Sequence, residues 1–440
     1  MSPPIERRTL VRSGGASIIA CTMVAVLALG AAGAAKTKIV SRHTNGTQGD
    51  QMSVSGGISA NGRYVVFRSE AKTLIGSDTN GRRDIFVRDR KAGKTRLANR
   101  RDNGDQANHV SGYPSISENG RYVVFWSRAT NLIGGGTNGH DQIYIHDRVK
   151  RKTRLISKHS NGTQGDGESR DPVVSADGRF VAFQSSASNL VNGDTNGRSD
   201  IFIRDRKTGK TRLVSKRSNG AQGNEGSFTA AISTNGRFIA FESGASNLVK
   251  NDDNDVSDVF VHDRKKRKTK RVSVSSAESE AIGQSTQADI SADGRFVVFR
   301  SSAANLVGGD GNGVHDVFIR DRKKGRTRRL SIHTNGSGGS ASSAAPSISG
   351  DGRRVVFESS APNLVGGDSN GTTDIFMRDR RKKRTKRVSV ANGGGQGTGI
   401  SRRPIISRDG RFVTFYSDAP DLASVDVNAR HDVFARGPLR

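Results

Sequence analysis

Cysteine is almost missing: Cys21 is the only one in 440 residues, and it lies in the apolar leader. The rest of the chain cannot be held by disulfides, so its stability has to come from burial. Tryptophan also occurs once and aromatics make up 5% of the sequence, which leaves few rings for stacking sugars or bases. No stretch keeps a helical period, which excludes bundles and coiled coils. There is no G-x-S-x-G elbow and no metal-binding histidine pair. Acids are short too, 42 against 71 Lys and Arg.

Residues 1–35 stand apart. Arg7, Arg8 and Arg12 precede an apolar run from Ala16 to Ala35 that ends in small residues, the layout of a secretory signal peptide, or of an anchor if it is kept. An exported protein is expected.

From Lys36 onward one unit recurs seven times. The turn glycines Gly62, Gly120, Gly178, Gly236, Gly294, Gly352 and Gly410 fall 58 residues apart, and the series Phe67 to Phe415 keeps the same step. A fixed period marks a repeat architecture. In the copy from Pro172 to Ser215, a short apolar run meets Asp177-Gly178, a hairpin signal. Arg179–Phe183, Asp200–Arg204 and Thr211–Ser215 then read as further strands. Each repeat is thus a four-stranded antiparallel meander. The last copy ends after its third strand, His431–Phe434, while Lys36–Ser41 is an unaccompanied fourth strand at the other end. Joining them removes two exposed edges. The expectation is an all-β, seven-bladed β-propeller spanning 36–440, with the strand at 36–41 completing the last blade.

The pattern S-x-[DN]-G-R-x-V-x-F-x-S, followed by D-I-F-x-x-D and T-x-x-V-S, resembles the WD40-like (PD40-type) repeats of TolB-like propellers. TolB itself pairs six blades with an N-terminal domain, whereas seven repeats fill this chain. The resemblance implies a propeller serving protein contacts, often at the bacterial envelope.

Charge is concentrated. Removing the leader leaves +27, and the six windows that link third to fourth strands, such as RDRKTGKTR, hold 34 basic residues and 6 acids. They predict a positive crown on one face, with Lys265, Lys266, Arg267, Lys268, Lys323, Lys324, Arg381, Lys382, Lys383 and Arg384 as anion-binding candidates. The expected partners are an envelope protein or an anionic polymer or lipid surface. Membrane association would run through this rim or a retained leader. Export argues against nucleic acid, and a monomer is expected.

On the opposite face the second-to-third connections carry Asn in all seven copies and Asp-x-Asn in six, followed in most by Gly. The set is Asp78, Asn80 and Asp84; Asp194, Asn196 and Asp200; Asp252, Asn254 and Asp258; Asp310, Asn312 and Asp316; Asp368, Asn370 and Asp374; and Asp426, Asn428 and Asp432. In the second repeat both acids are lost together, to Gly136 and Gln142. Oxygen ligands at such spacing suit Ca²⁺, and they equally suit Asx turns. No cofactor is required by the fold. The fourth-to-first loops add Gln48, Gln106, Gln164, Gln222 and Gln396.

Near-identical repeats leave little asymmetry for a unique pocket, and no catalytic constellation stands out. The reading at this level is a non-catalytic binding or scaffold propeller at the cell envelope. A calcium-binding propeller, or a hydrolase or lyase with its site at the channel mouth, are the alternatives.

Overall fold

The computed structural model describes residues 34–76, 78–423 and 426–439. Most of the leader, residues 1–33, lies outside them. Seven four-stranded antiparallel sheets follow one another as blades of a propeller. Blades 1 to 6 span 53–97, 111–155, 169–213, 227–271, 285–329 and 343–387. Blade 7 combines Ser401–Ile406, Val413–Ser417 and Asp432–Gly437 with the N-terminal strand Lys36–Ile39. In that strand Ile39 pairs with Phe434 and Lys36 with Gly437, so the ring closes by β-pairing of the two ends of the propeller.

The core lies between blades. Each of the seven apolar clusters joins the second and third strands of one blade to the first two strands of the next. Within each blade the recurring phenylalanines stack across neighbouring strands, as Phe67 on Phe86 at 5.7 Å between centroids. Alternation explains the choice of residues: one face of each strand meets the preceding blade, the other the following one, so second and third strands are apolar through their middle.

The turn glycines are required twice over. Gly178 has φ +77°, and a Cβ there would sit 2.0 Å from the Tyr122 ring of the preceding blade. The Arg206 guanidinium, which donates to the Gly178 carbonyl, also lies over that ring, 4.5 Å from its centroid. The same arginine-on-aromatic clamp spans five other seams. At the seam between blades 6 and 7 the pair is replaced as a pair. Arg354 stands in the aromatic slot and Pro438 in the arginine slot, and the Arg354 Nη1 donates to the carbonyl of Gly410 at 2.7 Å.

Innermost strands line a central channel. On the crown side a belt of backbone hydrogen bonds runs from blade to blade, Ala176 to Thr234, Thr234 to Ala292, Ala292 to Gly350 and Gly350 to Arg408, closing through Asp409 N to Ala60 O at 3.1 Å. Arg408 reaches across this end, donating to the carbonyls of Ile232 and Ile290 and pairing with Glu118 at 3.1 Å. These bridges floor the channel and turn it into a funnel that opens on the loop face. Among the described residues no helix is long and apolar enough to cross a membrane.

Candidate functional site

Each Asp-x-Asn-Gly loop closes on itself. Asn80 Nδ2 donates to Asp84 at 3.2 Å and to the Ala107 carbonyl at 2.8 Å, and its Oδ1 accepts from Arg82 N. Between the two carboxylates stands an N–H donor group. In blades 1, 3 and 7 it is an amide: Gln106 Nε2 bridges Asp78 and Asp84, Gln222 bridges Asp194 and Asp200, and Gln48 bridges Asp426 and Asp432. Blades 4 and 5 use a guanidinium, Arg271 between Asp252 and Asp258, and Arg329 between Asp310 and Asp316. Blade 6 has both, with Gln396 between Asp368 and Asp374 and Arg387 beside them. In blade 2, Gln142 keeps the architecture without charge, accepting from Ser157 and donating to Gly165. The loops thus act as Asx turns whose acid pairs are satisfied internally. Burial pushes Asp84 and Asp432 up to about 6, against the hydrogen bonds from Asn99 and Gln106 on the first and from Ser41 and Gln48 on the second.

Among the described residues, one set of acidic ligand atoms lies within 4.8 Å of one another and could hold a metal ion: Asp252, Asp258 and Glu280. Arg271 Nη1 occupies its centre, bonded to all three. A divalent cation would have to displace that guanidinium, so as it stands the set does not fit a resident metal.

All ten anion-binding candidates from Lys265 to Arg384 are exposed on the hairpins that join third to fourth strands. Other basic groups of these hairpins serve the fold. Six arginines, from Arg63 to Arg353, hold the aspartates of the hairpins in two-point contact, as Arg179 with Asp205 at 2.9 and 2.7 Å. The hydrogen bond from Arg179 holds the Asp205 carboxyl down at about 2.

The funnel is where the repeats stop being alike. Each innermost strand carries a β-bulge. At its apex the seven repeats place seven different residues, Ser55, Tyr113, Asp171, Thr229, Gln287, Ala345 and Arg403. Six of these are non-glycine residues with φ between 43° and 53°. That conformation costs about 1 kcal/mol each, and it turns the side chains into the channel. A second divergent slot lies beside it on the second strands: Arg68, Trp126, Gln184, Glu242, Arg300, Glu358 and Tyr416. The two slots interlock, with Glu242 accepting from Thr229 Oγ1 and Gln287 N, and Glu358 from Arg403 N. The cavity lined by the seven residues of the first slot, with Arg68 from the second, has a volume of about 600 Å³.

One side of the funnel is chemically distinct. The Tyr113 ring is 40% exposed and lies between two guanidiniums, Arg68 at 4.6 Å and Arg403 at 5.4 Å from its centroid. Burial alone would raise the phenol, but the hydrogen bond and charge of Arg403 and the charge of Arg68 outweigh it and lower its pKa. Asp171, the same slot one blade on, is shifted the other way, raised by burial against the charges of Arg403, Arg170 and Arg68. Arg68 itself is lowered by burial and by the neighbouring Arg83. No histidine lines the cavity. An asymmetric pocket therefore exists, contrary to what near-identical repeats suggest, because the divergence is confined to the bulge slots. Four of the nine prolines, Pro114, Pro172, Pro346 and Pro404, mark those bulges in the sequence.

No protein-family model matches the chain, and no curated protein sequence does. Solved structures match by fold. An oligogalacturonate lyase in complex with manganese is 10% identical, with 93% of this chain and 95% of that one covered and a TM-score of 0.55. The oligogalacturonate lyase of Vibrio parahaemolyticus is also 10% identical, covers 92% and 96%, and has a TM-score of 0.53. The propeller is shared. A putative TolB from Agrobacterium tumefaciens is 16% identical over 78% of this chain and 94% of that one, with a TM-score of 0.42. The expectation of a non-enzyme is corrected by these findings: structures of oligogalacturonate lyases share this fold, so the fold does not mark a chain without catalysis.

Proposed function

We propose that the funnel is the working site of an exported protein and that it takes an oligomer of uronic acids, cleaving it by β-elimination. The observation that carries this reading is the phenol of Tyr113 held between Arg68 and Arg403 beside Asp171, a pair of acids shifted in opposite directions at the one place where the repeats diverge. The names of the lyases that share the fold support it.

The chemistry follows from the side chains. A uronate carboxylate binds at the guanidiniums of Arg403 and Arg68, which neutralise it and make the adjacent C5 proton more acidic. The Tyr113 oxygen, as phenolate, removes that proton. The electron pair forms the C4=C5 double bond, the C4–O4 bond breaks, and the departing oxygen takes a proton from Asp171. Atoms and charge balance without an added oxidant or metal. The crown, on the far face, supplies a general attraction for anionic polymers that brings substrate to the protein.

The experiment is incubation with oligogalacturonate, followed by the ultraviolet absorbance of the unsaturated uronate. The wild type is expected to generate it, and Tyr113→Phe to lose at least a hundredfold in rate while still binding. No unsaturated product from any polyuronate, together with unchanged binding by Arg403→Gln, would overturn the reading.

A further inference from the structure

A second site lies outside the funnel, in the seam between blades 1 and 2. The third strand of every blade has one slot that faces the preceding blade. Five copies place arginine there, Arg88, Arg204, Arg320, Arg378 and Arg436, and the two others place His146 and His262. Each of these arginines bonds the threonine of its own fourth-strand partner and, in most copies, a carbonyl of the preceding blade. Arg88 does so to Arg42 O at 3.1 Å and Thr95 Oγ1 at 3.0 Å, and Arg204 to Lys158 O at 2.9 Å and Thr211 Oγ1 at 2.7 Å. His146 keeps only the threonine, Nδ1 to Thr153 Oγ1 at 3.0 Å.

The hairpin residue five positions on changes with it in blades 1 to 5, whereas blade 6 keeps Arg378 and has Lys383 there at φ 51°. Beside Arg88, Arg204 and Arg320 it is a glycine at positive φ, and a Cβ added there would lie 3.9, 3.9 and 3.8 Å from the guanidinium. Beside His146 and His262 it is Arg151 and Arg267, both held at φ 52°. The two blades thus move a guanidinium from the buried strand to the turn, and accept left-handed strain at a non-glycine residue to do it.

A cavity of about 310 Å³ lies beside His146, lined by Arg96, Arg100, Arg148 and Arg151. No carboxylate lines it. The nearest acids are already paired, Asp147 with Arg121 and Asp102 with Arg154. Among the described residues neither Arg96 nor Arg151 is ion-paired. Arg148 also lies over the Tyr64 ring and donates to the Gly120 carbonyl, and Arg100 donates to the Gly104 carbonyl, so Arg96 and Arg151 are the pair with no such partner among the described residues; around a hole with no counter-charge the four guanidiniums form a receptor for a compact anion of more than one charge.

We infer that this seam binds a phosphate dianion, free or as a phosphomonoester, through the four arginines, with His146 as the short residue that leaves room for it. Burial pushes His146 down to about 4, with the Arg100 charge acting in the same direction, so near neutral pH the ring adds no charge and serves as a floor.

Blade 1 supplies the control, since its arginine and glycine are the filled form of the same slots. The starting protein carries His262→Arg and Arg267→Gly, so that only one such seam remains. Calorimetric titration with inorganic phosphate, at constant ionic strength set by chloride, should show saturable one-to-one binding. Adding His146→Arg and Arg151→Gly should weaken it at least tenfold and leave the melting temperature equal or higher, because both residues are those of blades 1 and 3. A parallel titration with glycerol phosphate separates the sources: binding equal to phosphate marks a ligand carried on a larger molecule, and binding of inorganic phosphate alone marks the free ion. No saturable phosphate binding in the starting protein, or equal affinity after the seam is filled, would overturn the inference.

Discussion

Tyr113 has a positive φ and a ring 40% exposed, both of which work against stability unless the ring has a task, and two guanidiniums lie over that ring. Removing the Arg403 charge should let the phenol drift back toward its ordinary value. The elimination needs Tyr113 ionised and Asp171 protonated, so its rate should fall at high pH once the phenol has ionised and Asp171 goes on losing its proton, and this fall should come at a lower pH than a free tyrosine would give because the phenol is lowered in the wild type. In Arg403→Gln the fall should move to higher pH. Rate–pH profiles of the two proteins check this, and superimposable profiles would separate Arg403 from the phenol. The residues of this cluster were open to sequence reading in principle. Aligning the seven copies within the chain shows Tyr113, Asp171 and Arg403 in one column where no two copies agree. Attention to what recurs hides that column, and nothing in the sequence says that a bulge turns it into the channel.

At the level of the element, the Asp-x-Asn-Gly loop was legible as a polar turn, but its inner pairing was not. Gln106 lies 22 residues after Asp84, and Arg271 13 after Asp258, so only the folded blade brings donor and acid together. The positive group in the acidic cluster of blade 4 can be tested by removing it. Arg271→Ala should leave Asp252, Asp258 and Glu280 facing one another and create a site where calcium or manganese raises the melting temperature by several degrees, while neither ion does so in the wild type. Differential scanning calorimetry with and without chelator reads both. The raised carboxyls also make a pH statement. Asp432 is about 6 in the folded chain, so its contribution is fullest while it is protonated, below its unfolded value of about 4. It is lost as pH rises from about 4 to 6, on the order of 3 kcal/mol for the one group. Asp205, held at about 2, works the other way, adding stability as pH rises from about 2 to 4. Giving blade 7 the uncharged pair of blade 2, Asp426→Gly with Asp432→Gln, should flatten the fall between pH 4 and 6 in urea unfolding.

For the whole molecule, the repeat period, the blade count and the closure were all present in the sequence, because a strand missing at one end and a strand spare at the other are visible without coordinates. Strand order followed from the Asp-Gly and Asn-Gly turns. The floor of the funnel was not visible: Arg408 and Glu118 lie 290 residues apart and meet only because the ring is closed. Closure is itself testable. A chain starting at residue 44 lacks Lys36–Ile39 and the buried Val40, and exposes the edge of Asp432–Gly437. It should melt well below the full propeller and form oligomers by strand pairing at that edge, seen by light scattering. An unchanged, monomeric product would mean that the ring is held by seam packing alone. The comparison that tests the functional account most directly is a crystal structure of the Tyr113→Phe variant soaked with a uronate oligomer. The account predicts the sugar in the funnel, its carboxylate on Arg403 and Arg68 and its C5 facing residue 113. Density for the oligomer on the crown alone, with the funnel holding only solvent at saturating ligand, would contradict it.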